Sequence, residues 1–354
     1  MNLIQLLLLP LSFIYQLVLR LRNSLYTHGI FGVTSFDLPI INVGNLAFGG
    51  TGKTPHIEYL IRLLKDSYKV AVLSRGYKRK TTGYLFGDQQ ATAMSLGDEP
   101  YQIFRKFREI EVAVSENRVL GVPNLLFDAP ETEVILLDDA YQHRAIKPGL
   151  NILLTEQNSL YVNDHLAPAG YLREYASAAE RANCIVVTKC KTDLSLEERK
   201  SIIAQLKPLG HQSVYFSYLK YGELVPYFEP LVHNETTAVI AFAGIANPLP
   251  FFQYIESKYQ HVITKSFPDH HQLSEIEIER LLETFDEINS DHKIFVSTEK
   301  DFQKLVQGPQ AEKLKKYPFY YIPIEVAFFA EDSSNFNQKV IHYVSENSPN
   351  TYIP

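Results

Sequence analysis

The chain has 354 residues, 45% of them hydrophobic and 21% charged, and a formal net charge of −6. That length supports one large or two ordinary domains with a sizeable core, the composition is ordinary for a globular protein, and nothing in the charge points to nucleic acid. The two cysteines, Cys184 and Cys190, make neither a metal spacing nor a disulfide framework and read as core or surface thiols in a reducing compartment.

Residues 3–19 form a nearly continuous apolar run that begins at Leu3 and is interrupted by Pro10. No basic residue precedes it and no small-x-small cleavage site follows, which argues against a signal peptide. The run is short for a bilayer, so a spanning helix is marginal. Gln5, Ser12, Gln16 and Asn23 share one stripe if the helix is continuous, and Ser12, Gln16 and Asn23 still do if it begins at Pro10. The expectation is a helix over residues 3–23 lying in a membrane interface, with Arg20 and Arg22 at the headgroups. The plainer alternative is a helix docked on its own domain.

From residue 40, short β-rich apolar runs recur at 40–43, 70–74, 111–114, 134–137, 151–155 and 184–188. Helical patterns or loops separate them, notably at 54–65 and 98–107. This alternation predicts a mostly parallel sheet with right-handed crossovers, an α/β fold. Around 213–231 Tyr-rich alternation suggests a pair of strands acting as a hinge. A second α/β set follows: strand 237–243, helix 248–258, strand 261–265, helix 274–285, strand 293–298 and strand 319–325. Ser274 and Glu277 give one of these helices a capping box.

The chemistry gathers first at Ile40–Pro55. A buried strand runs into Gly44-Asn45-Leu46-Ala47-Phe48-Gly49-Gly50-Thr51-Gly52-Lys53-Thr54 and then into apolar residues at helical spacing, Ile57, Leu60, Ile61 and Leu64. Gly49, Gly50, Thr51 and Gly52 can turn backbone N–H groups toward a phosphate at a helix N-terminus. Lys53 would meet the β- and γ-phosphates, and the Thr54 hydroxyl a magnesium ion. Ala47 stands where the strict P-loop pattern has its first glycine. A glycine turn before an ordinary helix is the bland alternative, and the intact Gly-Gly-Thr-Gly-Lys-Thr favours nucleotide.

Other motifs are ambiguous alone. Asp138 and Asp139 end a buried run, where a P-loop enzyme anchors magnesium or an ordinary protein places turn aspartates. Asp98, in Gly97-Asp98-Glu99-Pro100, reads by itself as a helix cap. Arg75 lies in a basic turn, and Arg173 and Glu174 follow Pro168-Ala169-Gly170. An Asp-His pair at a strand exit, as in Asp269-His270-His271, can supply or orient a general base. Thr188-Lys189-Cys190-Lys191 lacks the aspartate of a guanine-reading motif, which argues against a GTPase.

Taken in order, these motifs resemble those of the tetraacyldisaccharide 4′-kinase family of lipid A biosynthesis. The resemblance also includes Ser74-Arg75-Gly76-Tyr77, Glu116-Asn117-Arg118, Asp138-Asp139-Ala140-Tyr141-Gln142-His143, Phe242-Ala243-Gly244-Ile245-Ala246-Asn247-Pro248 and Thr298-Glu299-Lys300-Asp301. Departures are slight: Ala140-Tyr141 for the usual Gly-Phe, Tyr171 for Pro, and Ala246 for a frequent Gly. Ala47 fits the family's longer glycine-rich loop.

The resemblance implies a P-loop NTPase-like core, a smaller α/β C-terminal domain, a β-ribbon hinge and an N-terminal membrane-associated helix. The divisions expected are 1–30, 31–212, 213–231 and 232–354. It implies an ATP- and Mg2+-dependent kinase at the cytoplasmic face of the inner membrane, peripheral or monotopic. Its substrate is an acylated disaccharide 1-phosphate lipid, it touches the membrane surface through residues 3–23, and no obligate protein partner follows. Asp98 and His270 would form a catalytic dyad, with His271 as the second choice and Lys53 on the phosphates. Thr54, Asp138, Asp139 and Glu99 would surround the metal. Asn45, Arg75, Arg118, Gln142, Arg173 and Glu174 would meet substrate. The rival classes are a membrane-associated P-loop ATPase working as a switch and a non-catalytic nucleotide-binding scaffold.

Overall fold

The computed structural model describes residues 3–228, 238–245, 247–269, 271–290, 292–305 and 311–348. The chain forms two compact units, one of residues 1–219 and 326–354 and the other of residues 220–325.

The larger unit opens with helix α1 (Leu3–Thr27), which runs through Pro10 without a break. A proline there removes one i→i−4 hydrogen bond, and the rest of a long helix tolerates that loss. The P-loop strand β1 (Ile40–Asn45) is fully buried, and after a glycine-rich turn the chain enters α2 (Lys53–Leu64). There follow β2 (Val70–Ser74), β3 (Leu85–Phe86), α3 (Ala93–Leu96), α4 (Asp98–Lys106), β4 (Glu111–Val114) and α5 (Arg118–Asp128). Next come β5 (Val134–Asp138), β6 (Leu150–Glu156), β7 (Cys184–Thr188), α6 (Leu196–Leu206) and β8 (Ser213–Tyr221).

The smaller unit holds β9 (Val225–Pro226), β10 (Ala238–Ala243), α7 (Leu249–Lys258), β11 (His261–Ser266), α8 (Glu275–Glu287) and β12 (Lys293–Thr298). It continues through α9 (Glu299–Leu305), α10 (Ala311–Leu314) and β13 (Phe319–Ile322). The chain then returns through β14 (Ile324–Phe328) to α11 (Ala330–Asn347).

The first sheet has nine strands in the order β14-β8-β7-β6-β1-β5-β2-β4-β3, and the second has five in the order β11-β10-β12-β13-β9. β1 lies at the middle of its sheet, parallel to β5 on one side and β6 on the other. That puts the ends of β1 and β5, and so the P-loop and the two aspartates, side by side. All six expected core strands of the first set are present, buried on both faces as parallel strands covered by helices must be.

The chain divides differently from the expected hinge and C-terminal domain. In the stretch expected to act as a hinge, β8 continues the first sheet, parallel to β7, and residues 229–231 of that stretch lie outside the described residues. The expected strand 319–325 is two strands meeting at Pro323, whose carbonyl accepts from the Gly222 amide at 2.9 Å. α11 belongs to the larger unit, where Phe336, Val340 and Val344 sit in the same core as Ile41, Val43 and Ile57. An amphipathic pattern says that a helix buries one face without saying in which core.

α1 is also turned differently from the interfacial expectation. Its polar stripe faces the protein: the Ser12 hydroxyl donates to the Leu166 carbonyl and accepts from the Ala169 amide, both at 2.9 Å. Asn23 is buried, and Arg22, expected at headgroups, donates to the Gln142 carbonyl at 2.7 Å. Leu6, Leu7, Leu11, Phe13, Ile14, Leu17, Val18 and Leu21 are exposed instead. The Ser12 hydroxyl and the Asn23 Nδ2 group find partners, which compensates their desolvation, while Asn23 Oδ1 is buried without a hydrogen-bond partner among the described residues.

Candidate active site

The P-loop leaves β1 at Asn45, whose side-chain amide donates to the Thr51 hydroxyl at 2.9 Å and so ties the two ends of the loop together. Thr51 is itself buried, and its carbonyl accepts from the Thr188 hydroxyl at 2.9 Å. Gly49 and Gly52 take positive φ, 112° and 89°, which lets the loop fold over the start of α2 at little steric cost. His56 locks that turn: Nδ1–H donates to the Gly52 carbonyl at 2.7 Å, and Nε2 pairs with the Ser217 hydroxyl at 3.0 Å. Burial pushes its pKa down to about 4, so the ring is neutral and Nε2 is the acceptor.

Beyond the loop, the Lys53 ammonium stands 3.8 Å from Asp139, and the Thr54 hydroxyl donates to Glu99 Oε2 at 3.0 Å. Asp139 has a left-handed φ of 50° and receives Arg173 in a two-pronged contact of 2.7 and 3.1 Å. Arg173 also donates to the Asn45 side-chain carbonyl, and Gln142 Nε2 donates to the Asn45 main-chain carbonyl at 2.8 Å. Burial opposes charge on Asp139, but Arg173 and Lys53 hold its pKa below the ordinary value.

Asp138 behaves oppositely. Burial, followed by the charges of Glu99 and Asp139, pushes its carboxyl up to about 7. Oδ2 accepts from the Ser74 hydroxyl at 2.9 Å, while Oδ1 is buried with no hydrogen-bond partner among the described residues. A buried carboxylate oxygen with a spare lone pair, close to a threonine hydroxyl and a second carboxylate, fits a hard cation. Among the described residues no three His, Cys, Asp or Glu side chains form a metal cage. Mg2+ does not need one, because it keeps several waters and uses one or two carboxylates plus substrate phosphates.

Asp98 opens α4, and Gly97 rather than Asp98 occupies the N-cap, with no side-chain capping bond there. Gly97 has φ 94°, and a Cβ on it would lie 2.9 Å from the Tyr77 carbonyl, so the Arg75 turn and the start of α4 touch through their backbones. Glu58 is almost fully buried. It holds Lys106 at 2.8 Å and Arg62 at 3.2 Å, and accepts from Gln102 at 3.1 Å. The P-loop helix is thereby pinned to the helix that carries Asp98 and Glu99.

Two expected substrate contacts turn inward. Arg118 is 2% exposed, and its guanidinium donates to the carbonyls of Ser115 and Glu116 and, at 3.0 Å, of Asp138. Glu174 is 1% exposed, paired with Arg181 at 2.8 Å and receiving Asn23 at the same distance. Both shape the strand ends and loops instead of presenting charge to a ligand. Arg75 is exposed, Gln142 and Arg173 are partly buried, and Asn45 is fully buried within the loop.

In the smaller unit, Asp301 accepts from the Gly244 amide at 3.0 Å and from the Thr298 hydroxyl at 2.7 Å. Two of the sequence motifs are thus one structural clasp. His271 pairs with Glu277 at 2.9 Å and stacks on Phe267. His270 and Ala246 lie outside the described residues, as does the side chain of Gln5. Sequence reasoning missed His56, Glu58 and Arg181. A histidine or glutamate at helical spacing after a P-loop carries no mark of burial, and Arg181 shows itself only once Glu174 is seen buried.

A family model described as LpxK, tetraacyldisaccharide-1-P 4′-kinase, matches residues 4–344. A tetraacyldisaccharide 4′-kinase of Bacteroides thetaiotaomicron is 43% identical over 357 residues, covering 97% of this chain and 94% of its own length. One of Flavobacterium johnsoniae is 42% identical over 350 residues, covering 98% and 99%. The crystal structure of LpxK from Aquifex aeolicus in complex with ATP superposes with a TM-score of 0.73 at 29% identity, covering 97% of this chain and 99% of that one. With nearly every residue from the first helix to the last inside these matches, the chain belongs to the tetraacyldisaccharide 4′-kinase family.

Proposed function

We propose that this chain transfers the γ-phosphate of ATP to the 4′-hydroxyl of a tetraacylated glucosamine disaccharide 1-phosphate, a step of lipid A biosynthesis, at the cytoplasmic face of the inner membrane. The observation that carries the reading is the meeting of Lys53, Asp139 and Arg173 at the mouth of the P-loop, beside the unsatisfied oxygen of Asp138. A switch ATPase needs no such arginine clamp for an acceptor.

In this reading the loop amides of residues 49–52 and Lys53 cradle the phosphates. Thr54, Asp138, Asp139 and Glu99 are the residues that would hold Mg2+, which neutralises charge on the phosphate oxygens when bound. Asp98 accepts the proton of the attacking hydroxyl, and His270 enters as its partner through the resemblance alone. Arg75, Arg173 and Gln142 address the polar part of the acceptor. The outward apolar face of α1 lies in the bilayer where the acceptor resides. Among the described residues α1 is long and apolar enough to span, but its docked polar stripe supports a helix lying along the surface.

Purified protein given ATP, Mg2+ and the tetraacyl disaccharide 1-phosphate should yield a bis-phosphorylated lipid. Lys53→Ala should lose most activity while remaining folded, and Asp98→Asn should lose roughly 10²–10⁴-fold, the usual reach of a general base. Nucleotide turnover indifferent to added lipid, or wild-type transfer by Asp98→Asn, would overturn this assignment of roles.

A further inference from the structure

We infer that Asn23, with Tyr15 and Arg22, forms a set of positioning residues through which the first helix holds the transfer site in register. The three belong to one helix, and among the described residues the hydrogen bonds their side chains send into the protein end on two loops. The Tyr15 hydroxyl donates to the Arg173 carbonyl at 2.9 Å. Arg22 donates to the Gln142 carbonyl at 2.7 Å. The Asn23 side-chain Nδ2 donates to Glu174 Oε1 and to the Tyr175 hydroxyl, both at 2.8 Å, and the Asn23 main-chain carbonyl accepts from Arg144 at 2.9 Å.

Those loops are the two that Arg173 and Asp139 join at 2.7 Å. A second tie runs parallel to that clamp. Glu174 binds Arg181, whose guanidinium lies 4.7 Å above the Tyr141 ring and donates to the Tyr141 carbonyl at 3.3 Å. The helix therefore closes a triangle: loop 139–144, loop 173–175 and α1, each bonded to the other two. Without the Asn23 amide, the buried Glu174 keeps the donors of Arg181 among the described residues, and the loop that carries Arg173 is held to the helix through the Tyr15 hydroxyl.

None of the three residues is bonded to Lys53, Thr54 or Glu99; the set reaches the site through the loops that carry Arg173 and Asp139. Because the other face of the same helix is apolar and outward, a shift of the helix is a shift of the clamp.

The inference rests on Arg173 and Asp139 belonging to the transfer site, and its test separates the two claims. The full chain is assayed in detergent micelles with ATP, Mg2+ and the tetraacyl disaccharide 1-phosphate, so that membrane partitioning plays no part. Asn23→Leu keeps the branching of the side chain and removes the donor; kcat should fall about tenfold with KM for ATP within about twofold, the scale of one lost hydrogen bond to a charged group. Tyr15→Phe should lower kcat about threefold by the same reasoning. Placed in an Arg173→Ala chain, Asn23→Leu should cost little more. Circular dichroism at the assay temperature establishes that each variant is folded. Wild-type kcat in both folded single variants, or a full additional loss in the Arg173→Ala chain, would overturn the positioning role. If Asn23→Leu does not fold, Tyr15→Phe decides alone. Wild-type turnover by Arg173→Ala would instead remove the clamp from the site, and the inference with it.

Discussion

His143 lies four residues beyond Asp139, its Nε2 buried and without a hydrogen-bond partner among the described residues. Burial, followed by the positive charges of Arg118, Arg22 and Arg75, pushes its pKa down to about 4 from an ordinary 6.5. A histidine whose folded pKa is lowered favours the neutral native state. Its contribution is therefore fully present above pH 6.5 and is lost as pH falls from there toward 4. Urea midpoints at pH 7.5 and 5.0 test this: the drop should be smaller for His143→Gln than for the wild type. Nothing in Gln142-His143-Arg144 reveals such a histidine, because its environment comes from α1, α5 and the turn after β2. Arg118 and Glu174 illustrate the same limit. Their residue types suit an anionic, hydroxylated substrate, but type does not say whether a charge faces a ligand or clamps a carbonyl. Lys53, Thr54, Asp138 and Asp139 were legible because glycine spacing and a strand end fix where those side chains go.

At the scale of elements, the strands were readable because each parallel strand is a short apolar run bounded by polar residues. Their order was not, since any two such runs can pair. The register that places β1 between β5 and β6 comes from crossovers and twist. α1 was legible as a two-faced helix, but not which face turns inward; that is settled by partners more than a hundred residues away, among them Leu166 and Glu174. α2 and α4 give the sharpest test at this scale. The Glu58 carboxylate is nearly enclosed, while Arg62 and Lys106 are partly exposed. Glu58→Leu should therefore cost about 2 kcal/mol, less than a fully buried pair would. It should also raise KM for ATP–Mg2+, because α4 carries the Glu99 that meets Thr54. Denaturant titration and nucleotide kinetics on one preparation measure both; a stability loss with unchanged KM would mean that the two helices keep their register without the pair.

The whole molecule is one unit interrupted by another. The chain leaves the larger unit after Leu219, builds the five-stranded unit, and re-enters at Val326 to finish with α11. The P-loop core is therefore completed by residues nearly three hundred positions after it. Phe336, Val340 and Val344 are essentially fully buried against Ile41, Val43 and Ile57. The Tyr343 hydroxyl donates to the Ile40 carbonyl and accepts from the Ile40 amide, each at 3.1 Å, at the start of the P-loop strand. Burying those three apolar side chains is worth roughly 5–9 kcal/mol together, comparable with the ~5–15 kcal/mol stability of a whole domain. A chain ending at Phe329 keeps every proposed ATP, metal and acceptor contact yet should lose ATP binding, because β1 and α2 no longer have a closed core. Phe336→Ala is the milder form of the same experiment. It should destabilise the larger unit by about 3–5 kcal/mol and lower the temperature at which ATP protects the chain from proteolysis, while fragments of residues 220–325 resist digestion as before. Wild-type ATP affinity in the chain ending at Phe329 would show that the core around β1 closes without its last helix.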